Sequence, residues 1–322
     1  MEKLSTTITT LKDKIGPLYD IVKTMSTNVF NNIKKTMKTF VSFLQGISEF
    51  GIDYRRLARE IGVDALNAGL VYEVMKEKPD LVFICKGDQL GFNTVVKINE
   101  YAKTFYFFMD PIMTAAPHLV KLASVCTYAS CTGLGVAKFF VANGVERVFH
   151  IFEGVDSEYY YPVEEDSSFK ANVSFIGSRT PERMDYLYNL GAKYTPRVYG
   201  PGFGSDIKGE DFRKICSSSK IMLSINSQNE IEDYFSDRIF LYSACKSFVF
   251  QKYTPGLENY FENGKHLIWF HDVNELIALT EEWLDPNKDE ERKAIAEEAY
   301  NHVLENFTWD VTVGKIMGCV EE

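Results

Sequence analysis

Residues 172–187, NVSFIGSRTPERMDYL, decide how the C-terminal half of the chain folds. An apolar run ends at the pair Gly177-Ser178, and Pro181 indicates a helix start, because proline is tolerated in a first helical turn. The segment therefore predicts a buried strand, a glycine turn and a helix, which together are the repeating unit of parallel α/β sheets. Because such a turn exposes N–H groups and Arg179 and Arg183 lie beside it, we interpret it as a diphosphate-binding turn. An ordinary surface connection is the alternative.

The same alternation of strand and helix patterns extends along most of the chain. Short runs of β-branched and aromatic residues alternate with longer amphipathic segments, as expected for stacked βα units. The predicted strands of the N-terminal half are TFVSF from Thr39, DLVFIC from Asp80, TFYFFM from Thr104, SVCTYAS from Ser124 and RVFHIF from Arg147. Those of the C-terminal half are NVSFIG from Asn172, TPRVYG from Thr195, KIMLSIN from Lys220, SFVFQ from Ser247 and HLIWF from His266. Helices DVNELIALTEEWL and ERKAIAEEAYNHVLENF close the pattern.

The segment from Gly154 to Asn172 is rich in charge and turn formers and reads as a linker between two halves. We therefore predict an α/β protein of two Rossmann-like domains, residues 1–155 and 156–322, facing each other across a cleft. The last helix is a candidate to pack back on the first domain. Residues 1–38 fit either a weak first strand with a helix or a helical extension.

Composition excludes several classes of protein. The net charge of −10 argues against a general nucleic-acid binder, although residues 1–60 hold ten Lys and Arg against six Asp and Glu. The six cysteines form no CxxC pair and no ligand spacing with histidine, so we expect no Cys/His metal site. No run is long enough to span a membrane and the N-terminal segment lacks a signal-like apolar region, so we expect a cytoplasmic protein.

A series of short motifs occurs in a fixed order along the chain. They are Ser174-Phe175-Ile176-Gly177-Ser178, Tyr199-Gly200, Ser219-Lys220-Ile221 with Leu223 and Asn226, Arg238-Ile239-Phe240, Pro255-Gly256-Leu257-Glu258, Phe261-Glu262-Asn263-Gly264-Lys265 and Phe307-Thr308-Trp309. The N-terminal half adds PDLVFICKGDQ, YFFMDP and RVFHIFEGVDSEYYYPV. In this order, from about residue 50 to the end, the chain resembles the CgeB-like glycosyltransferases, which are related to the GT-B transferases that use nucleotide sugars.

The resemblance implies that the C-terminal domain binds the donor. The donor-binding candidates are Gly177, Ser178, Arg179, Arg183, Tyr199, Arg238, Lys246 and Glu258. Glu258 would accept hydrogen bonds from the ribose hydroxyls, unless it is only a helix-start carboxylate. Arg238 would face the diphosphate, unless it forms an ion pair with Asp233 or Asp237.

The chain also departs from the wider group. Many members carry a glutamate where this chain has Leu241 and a glycine where it has Lys246. The first change removes a donor contact. The second would either crowd the site or replace lost phosphate binding.

Acceptor-side candidates follow strands of the N-terminal half, where an open α/β sheet presents its ligands. Asp110, before Pro111, is the first candidate for the group that takes the acceptor proton, and Asp88 is the second. His118 is a further catalytic candidate. The alternative is that both carboxylates cap helices or order turns.

We therefore expect a hexosyltransferase-like enzyme that moves a sugar from a nucleotide-diphosphate sugar to a hydroxyl acceptor, retaining the anomeric configuration. No tightly bound cofactor or metal is expected. The acceptor could be a glycan, a protein or a modified nucleobase, and the compartment is the bacterial cytoplasm, or the host cytoplasm for a viral protein. The alternatives are a phage-type transferase acting on DNA bases and a catalytically degenerate sugar-nucleotide-binding or structural protein.

Overall fold

The structure, a computed structural model, describes residues 58–59, 62–204, 207 and 209–321. The predicted strand at Thr39 and the interpretation of residues 1–38 lie outside this part of the chain. The described residues form two compact units. The first holds those up to Thr132, Ala137–Ile151 and those from Val313 onward, and the second holds Gly133–Val136 and Phe152–Thr312.

The first unit contains one parallel sheet of four strands in the order β1-β2-β3-β4. In chain order its elements are α1 (Val63–Glu77), β1 (Leu81–Cys85), α2 (Phe92–Ile98), β2 (Lys103–Phe108), α3 (Pro117–Ala123), β3 (Tyr128–Cys131), α4 (Leu134–Ala142) and β4 (Val148–His150). Every residue of β3 is buried, and so is every residue of β2 after Lys103. Such strands read as continuous apolar runs because a parallel sheet is covered on both faces.

The predicted strand SVCTYAS begins four residues later than expected. The N–H groups of Ser124 and Cys126 bond back to Val120 and Ala123 at 3.0 and 3.1 Å. These bonds continue the last turn of α3, so the chain becomes extended only at Tyr128.

The second unit contains a parallel sheet of five strands in the order β6-β5-β7-β8-β9. In chain order its elements are β5 (Ala171–Ile176), α5 (Pro181–Tyr194), β6 (Arg197–Tyr199), α6 (Gly209–Ser218), β7 (Ser219–Ser224), α7 (Arg238–Ala244), β8 (Val249–Lys252), β9 (Ile268–Phe270), α8 (Val273–Trp283) and α9 (Asp289–Asn306). The last helix, α10 (Trp309–Glu321), starts in this unit and ends in the first.

The order of strands in the second sheet reverses at β5. The chain runs from β5 outward to β6 and then returns to β7 on the other side of β5. The ladder between β5 and β7 ends at the pair Ser174 and Met222, and the N–H and C=O of Ile176 bond the hydroxyl of Tyr242 instead, at 3.1 and 3.0 Å. A reversal of strand order is where open α/β sheets bind ligands, outside the carboxyl ends of the strands.

The segment between β4 and β5 contains no helix or strand, as its composition predicts, but it is held in place. Val155 exchanges backbone hydrogen bonds with Phe307 and Trp309 at 2.8 and 3.2 Å. A Cβ atom on Gly154 would lie 2.3 Å from the backbone nitrogen of Trp309, so only glycine permits this approach.

None of the described helices is long and apolar enough to cross a membrane.

Candidate donor site

The glycine turn predicted at residues 177–180 lies at the carboxyl end of β5. The N–H of Gly177 donates to Tyr199 O at 2.9 Å, and the N–H of Arg179 donates to Pro201 O at the same distance. A Cβ atom on Gly200, whose φ is +113°, would lie 2.5 Å from Gly177 O. The two loops after β5 and β6 therefore approach closely because glycine faces glycine. Thr180 then caps α5 by accepting from the N–H of Arg183.

Two guanidinium groups lie beside this turn. Arg183 is buried, and its Nε donates to Ile225 O at 2.9 Å while its Nη1 donates to the carbonyl and hydroxyl oxygens of Ser178 at 2.9 and 2.7 Å. Arg238 Nη2 donates to the same Ile225 oxygen at 2.8 Å. A Cβ atom on Gly177 would lie 3.4 Å from Arg238 Nη1, so this guanidinium also borders the turn.

The charge of this pair is not balanced by a nearby carboxylate. Within the described residues, neither guanidinium has an acidic oxygen within 4.0 Å, so the alternative for Arg238, an ion pair with Asp233 or Asp237, is not formed there. Burial, followed by repulsion from Arg238, lowers the pKa of Arg183 to about 9. Arg238 Nε is buried and lacks a hydrogen-bond partner among those residues. Buried donors are normally satisfied, so this edge of the guanidinium suits an anionic ligand.

A second segment of the site follows β8. Gly256 has a φ of +90°, and a Cβ atom there would lie 1.7 Å from Asp233 Oδ1. Asp233 is held in turn by its own N–H to Pro255 O at 2.8 Å and by the hydroxyl of Tyr260 at 3.0 Å. This close packing fixes the turn that presents Glu258.

Glu258 itself is exposed at the start of a single 3-10 turn, Leu257–Asn259. Its Oε2 accepts from the hydroxyl of Tyr253 at 3.0 Å. Burial and this bond both raise the pKa of Tyr253, which keeps the phenol protonated and donating. The carboxylate is thus oriented and open to a ligand hydroxyl.

Two of the predicted donor-binding side chains, those of Tyr199 and Lys246, make other contacts. Tyr199 is half-buried against the core, and its backbone oxygen, described above, is what reaches the turn. Lys246 follows the end of α7 opposite to Arg238, where it pairs with Glu297 at 2.6 Å and lies over the ring of Tyr300. This geometry does not favour a phosphate role for Lys246. Leu241 is buried in the core of the second unit.

Asn226, which the ordered motifs include, and Lys252 were not among the predicted site residues, although they follow or end neighbouring strands. Asn226 is fully buried beside the shared Ile225 carbonyl. Lys252 is half-buried at the end of β8, and burial lowers its pKa. The rule that ligands bind at carboxyl ends of strands would have singled out both positions.

The acceptor-side candidates lie in the first unit. Lys86 and Asp110 follow neighbouring strands β1 and β2, and Lys86 Nζ lies 2.6 Å from Asp110 Oδ2, with both side chains partly exposed. Asp88 is exposed in the turn after Lys86, and His118 is exposed in the first turn of α3. The structure thus pairs Asp110 with a lysine. In the described part of the chain, no group of three or more His, Cys, Asp or Glu side chains could hold a metal ion.

Comparisons with known proteins agree with this description. Residues 179–318 match the model of a family described as glycosyl transferase-like. No curated protein matches the chain. Among solved structures, Anabaena HepE in complex with UDP and glucose superposes with a TM-score of 0.60 at 14% identity, covering 84% of this chain and 89% of that one.

Two further structures are similar. A glycosyltransferase from Rickettsia africae gives a TM-score of 0.58 at 13% identity, with 80% of each chain covered. Staphylococcus aureus TarM, in complex with Fondaparinux, alpha-GlcNAc-glycerol and UDP, gives 0.58 at 13% identity, covering 80% of this chain and 59% of that one. The two sheets therefore have the fold of GT-B glycosyltransferases, and residues 179–318 are similar to the glycosyl transferase-like family.

Proposed function

We propose that the chain is a glycosyltransferase whose second unit binds a nucleoside diphosphate sugar at the carboxyl ends of β5, β7 and β8. The observation that carries this proposal is the shared Ile225 carbonyl, on which the guanidinium groups of Arg183 and Arg238 converge without a carboxylate partner among the described residues. A diphosphate supplies the missing negative charge. It would also lie near the N-terminal end of α5, where the helix dipole favours negative charge.

The roles within the site follow from exposure. Arg238 and the Gly177-Ser178 turn contact the diphosphate, whereas the buried Arg183 holds that turn in place. Glu258, oriented by Tyr253, accepts hydrogen bonds from the two ribose hydroxyls, which a carboxylate can do with both oxygens. UDP is the first nucleotide to test, because the similar HepE and TarM structures contain it.

In the reaction, the bond between the anomeric carbon and the β-phosphate oxygen breaks. A new bond forms from that carbon to the acceptor oxygen, and the acceptor proton leaves. Arg238 stabilises the negative charge that develops on the departing diphosphate, which is the largest contribution such a site can make. We assign the removal of the proton to Asp110, whose carboxylate is partly exposed and is held by Lys86 Nζ at 2.6 Å.

We further propose that the acceptor oxygen attacks the face of the anomeric carbon from which the diphosphate leaves, so that the single displacement retains the anomeric configuration, and that the chain is CgeB-like. Both rest on the motifs from Ser174 to Trp309 and their resemblance to that group. The anomeric coupling constant of the product in a proton NMR spectrum tests retention, because α and β linkages differ in it.

Binding and turnover test the function. Calorimetry with UDP, UDP-glucose and UMP should show that removing the β-phosphate lowers affinity about tenfold or more, since it removes charged hydrogen bonds. Equal affinity for UDP and UMP would contradict the diphosphate site. Hydrolysis of the donor without acceptor separates an enzyme from a catalytically degenerate binding protein.

A further inference from the structure

Asn226 is a buried residue whose side-chain amide bonds to both segments of the candidate donor site, the one leading to Arg238 and the one leading to Glu258. It follows β7 directly after Ile225 and is fully buried, so it cannot touch the donor itself. Its effect on the site must be transmitted through the groups that it bonds.

The amide of Asn226 joins the segment that leads to Arg238. Its Oδ1 accepts from the N–H of Ser236 at 2.9 Å, and its Nδ2 donates to Tyr234 O at 3.2 Å. The hydroxyl of Ser236 in turn accepts from the N–H of Arg238 at 3.4 Å. The turn into α7 is therefore built on this amide.

The same Nδ2 also reaches the segment that leads to Glu258. It donates to Thr254 Oγ1 at 3.2 Å, and Thr254 O accepts from the N–H of Leu257 at 3.1 Å. Thr254 is fully buried as well. One amide group thus fixes the starting points of the Arg238 turn and of the Glu258 turn.

A third branch of this network reaches α5. The N–H of Asn226 donates to Asn229 Oδ1 at 3.1 Å, and Asn229 Nδ2 donates to Glu182 at 2.7 Å in the first turn of that helix. All polar atoms of the Asn226 side chain are satisfied. Buried networks of this kind are rigid, and no other side chain of this length supplies two donated hydrogen bonds and an acceptor, because a hydroxyl has one hydrogen and an ionised aspartate has none.

We propose that Asn226 is a positioning residue that holds the ribose contact at Glu258 in register with the diphosphate contact at Arg238, so that Glu258 contributes fully to binding only when the network is intact. The inference rests on the proposed function. It predicts that disrupting the network reduces the contribution of Glu258 to binding, although Asn226 touches neither Glu258 nor the ligand.

The test measures the contribution of Glu258 in different backgrounds. In the wild type, Glu258→Gln should weaken UDP binding about tenfold by calorimetry. In an Asn226→Asp background, where the new oxygen faces the Tyr234 carbonyl, Glu258→Gln should weaken UDP binding by less than about threefold. Thr254→Val removes only the branch toward Glu258, so Glu258→Gln should weaken UDP binding less in this background too. The affinity of the Thr254→Val protein for inorganic pyrophosphate should stay unchanged. This variant replaces Asn226→Asp if the latter does not fold.

Thr280→Val is the matched control, because Thr280 is fully buried in α8 of the same unit and its hydroxyl donates only to Leu276 O, at 2.7 Å. In the Thr280→Val background, Glu258→Gln should still weaken UDP binding about tenfold, even if Thr280→Val lowers the urea midpoint of unfolding. An undiminished tenfold cost in the folded Asn226→Asp and Thr254→Val proteins would overturn the coupling and leave the proposed function standing. Failure of the wild type to bind UDP, GDP or TDP would overturn the proposed function, and the coupling with it.

Discussion

Arg183 and Arg238 donate to one oxygen atom, the carbonyl of Ile225, at 2.9 and 2.8 Å. Two like charges share this acceptor although the described residues offer neither of them a carboxylate. Arg183 also donates from Nη1 to both oxygens of Ser178, whereas Arg238 keeps a buried Nε without a partner in that part of the chain. The two arginines should therefore respond differently to substitution.

Arg238→Gln should weaken UDP binding by about 10- to 100-fold, because a charged hydrogen bond contributes about 1.5–3 kcal/mol. The free energy of unfolding should change little, since Ile225 O keeps its bond to Arg183. Calorimetry and urea denaturation measure the two effects. Arg197→Gln, at an exposed arginine on β6, is the control and should bind UDP normally. Unchanged UDP affinity in Arg238→Gln would remove this residue from the site.

Arg183→Met should instead destabilise the fold, by about 1–3 kcal/mol, because it leaves the Ser178 oxygens without their donor. Arg183→Lys should recover part of the loss, since an ammonium group can still donate to one of these oxygens. The urea midpoint is the measurement. A Met variant of wild-type stability that no longer binds UDP would show that Arg183 contacts the ligand directly.

Gly256→Ala should destabilise the second unit by several kcal/mol and abolish ribose recognition, because its Cβ atom would collide with Asp233. Gly264→Ala is the matched control. Its φ of +80° is similar, but no atom lies within 4 Å of a Cβ placed there. The control carries only the strain of a positive φ, so its melting temperature should fall much less. Equal losses in the two variants would show that strain, and not the Asp233 contact, fixes the turn.

Asp110→Asn should lower donor turnover by about 100- to 10,000-fold while leaving UDP affinity unchanged, if Asp110 removes the acceptor proton. Lys86→Met tests the alternative that the 2.6 Å ion pair only orders the two turns. In that case both variants should lose similar stability and keep their turnover. Turnover, UDP affinity and melting temperature are measured on each protein. A folded Asp110→Asn variant with full turnover would make Asp88 the leading candidate.

The chain has already entered the second unit where the predicted linker begins at Gly154, and Val155 is bonded to Phe307 and Trp309 within that unit. The chain passes between the units at Ile151–Phe152 and again at Thr312–Val313. The hydroxyl of Thr312 donates to Phe152 O at 3.1 Å, which ties the two passages together. We predict that the amides of Val155 and Trp309 stay protected from hydrogen exchange with and without donor. Rapid exchange there in the free protein would show that the backbone bonds of Val155 open, and would contradict this prediction.

The sequence by itself determined the elements of the fold. Apolar runs such as DLVFIC and NVSFIG predicted strands within one or two residues of β1 and β5, because strands of a parallel sheet are buried on both faces. Thr180 and Pro181 fixed the start of α5 locally. The start of β3 was misjudged because backbone bonds to Val120 and Ala123, which no side-chain pattern records, extend the preceding helix.

Only the tertiary structure decided which candidates act together. Arg183 lies 42 positions before Ile225 in the sequence, and Arg238 lies 13 positions after it. The strand order β6-β5-β7 brings both guanidinium groups to the one carbonyl of Ile225. Lys246 and Arg238 are close in sequence, yet they lie at opposite ends of α7. The role of Asn226 was invisible to sequence patterns, because a buried amide is defined by its hydrogen-bond partners, and those come from three separate segments of the chain.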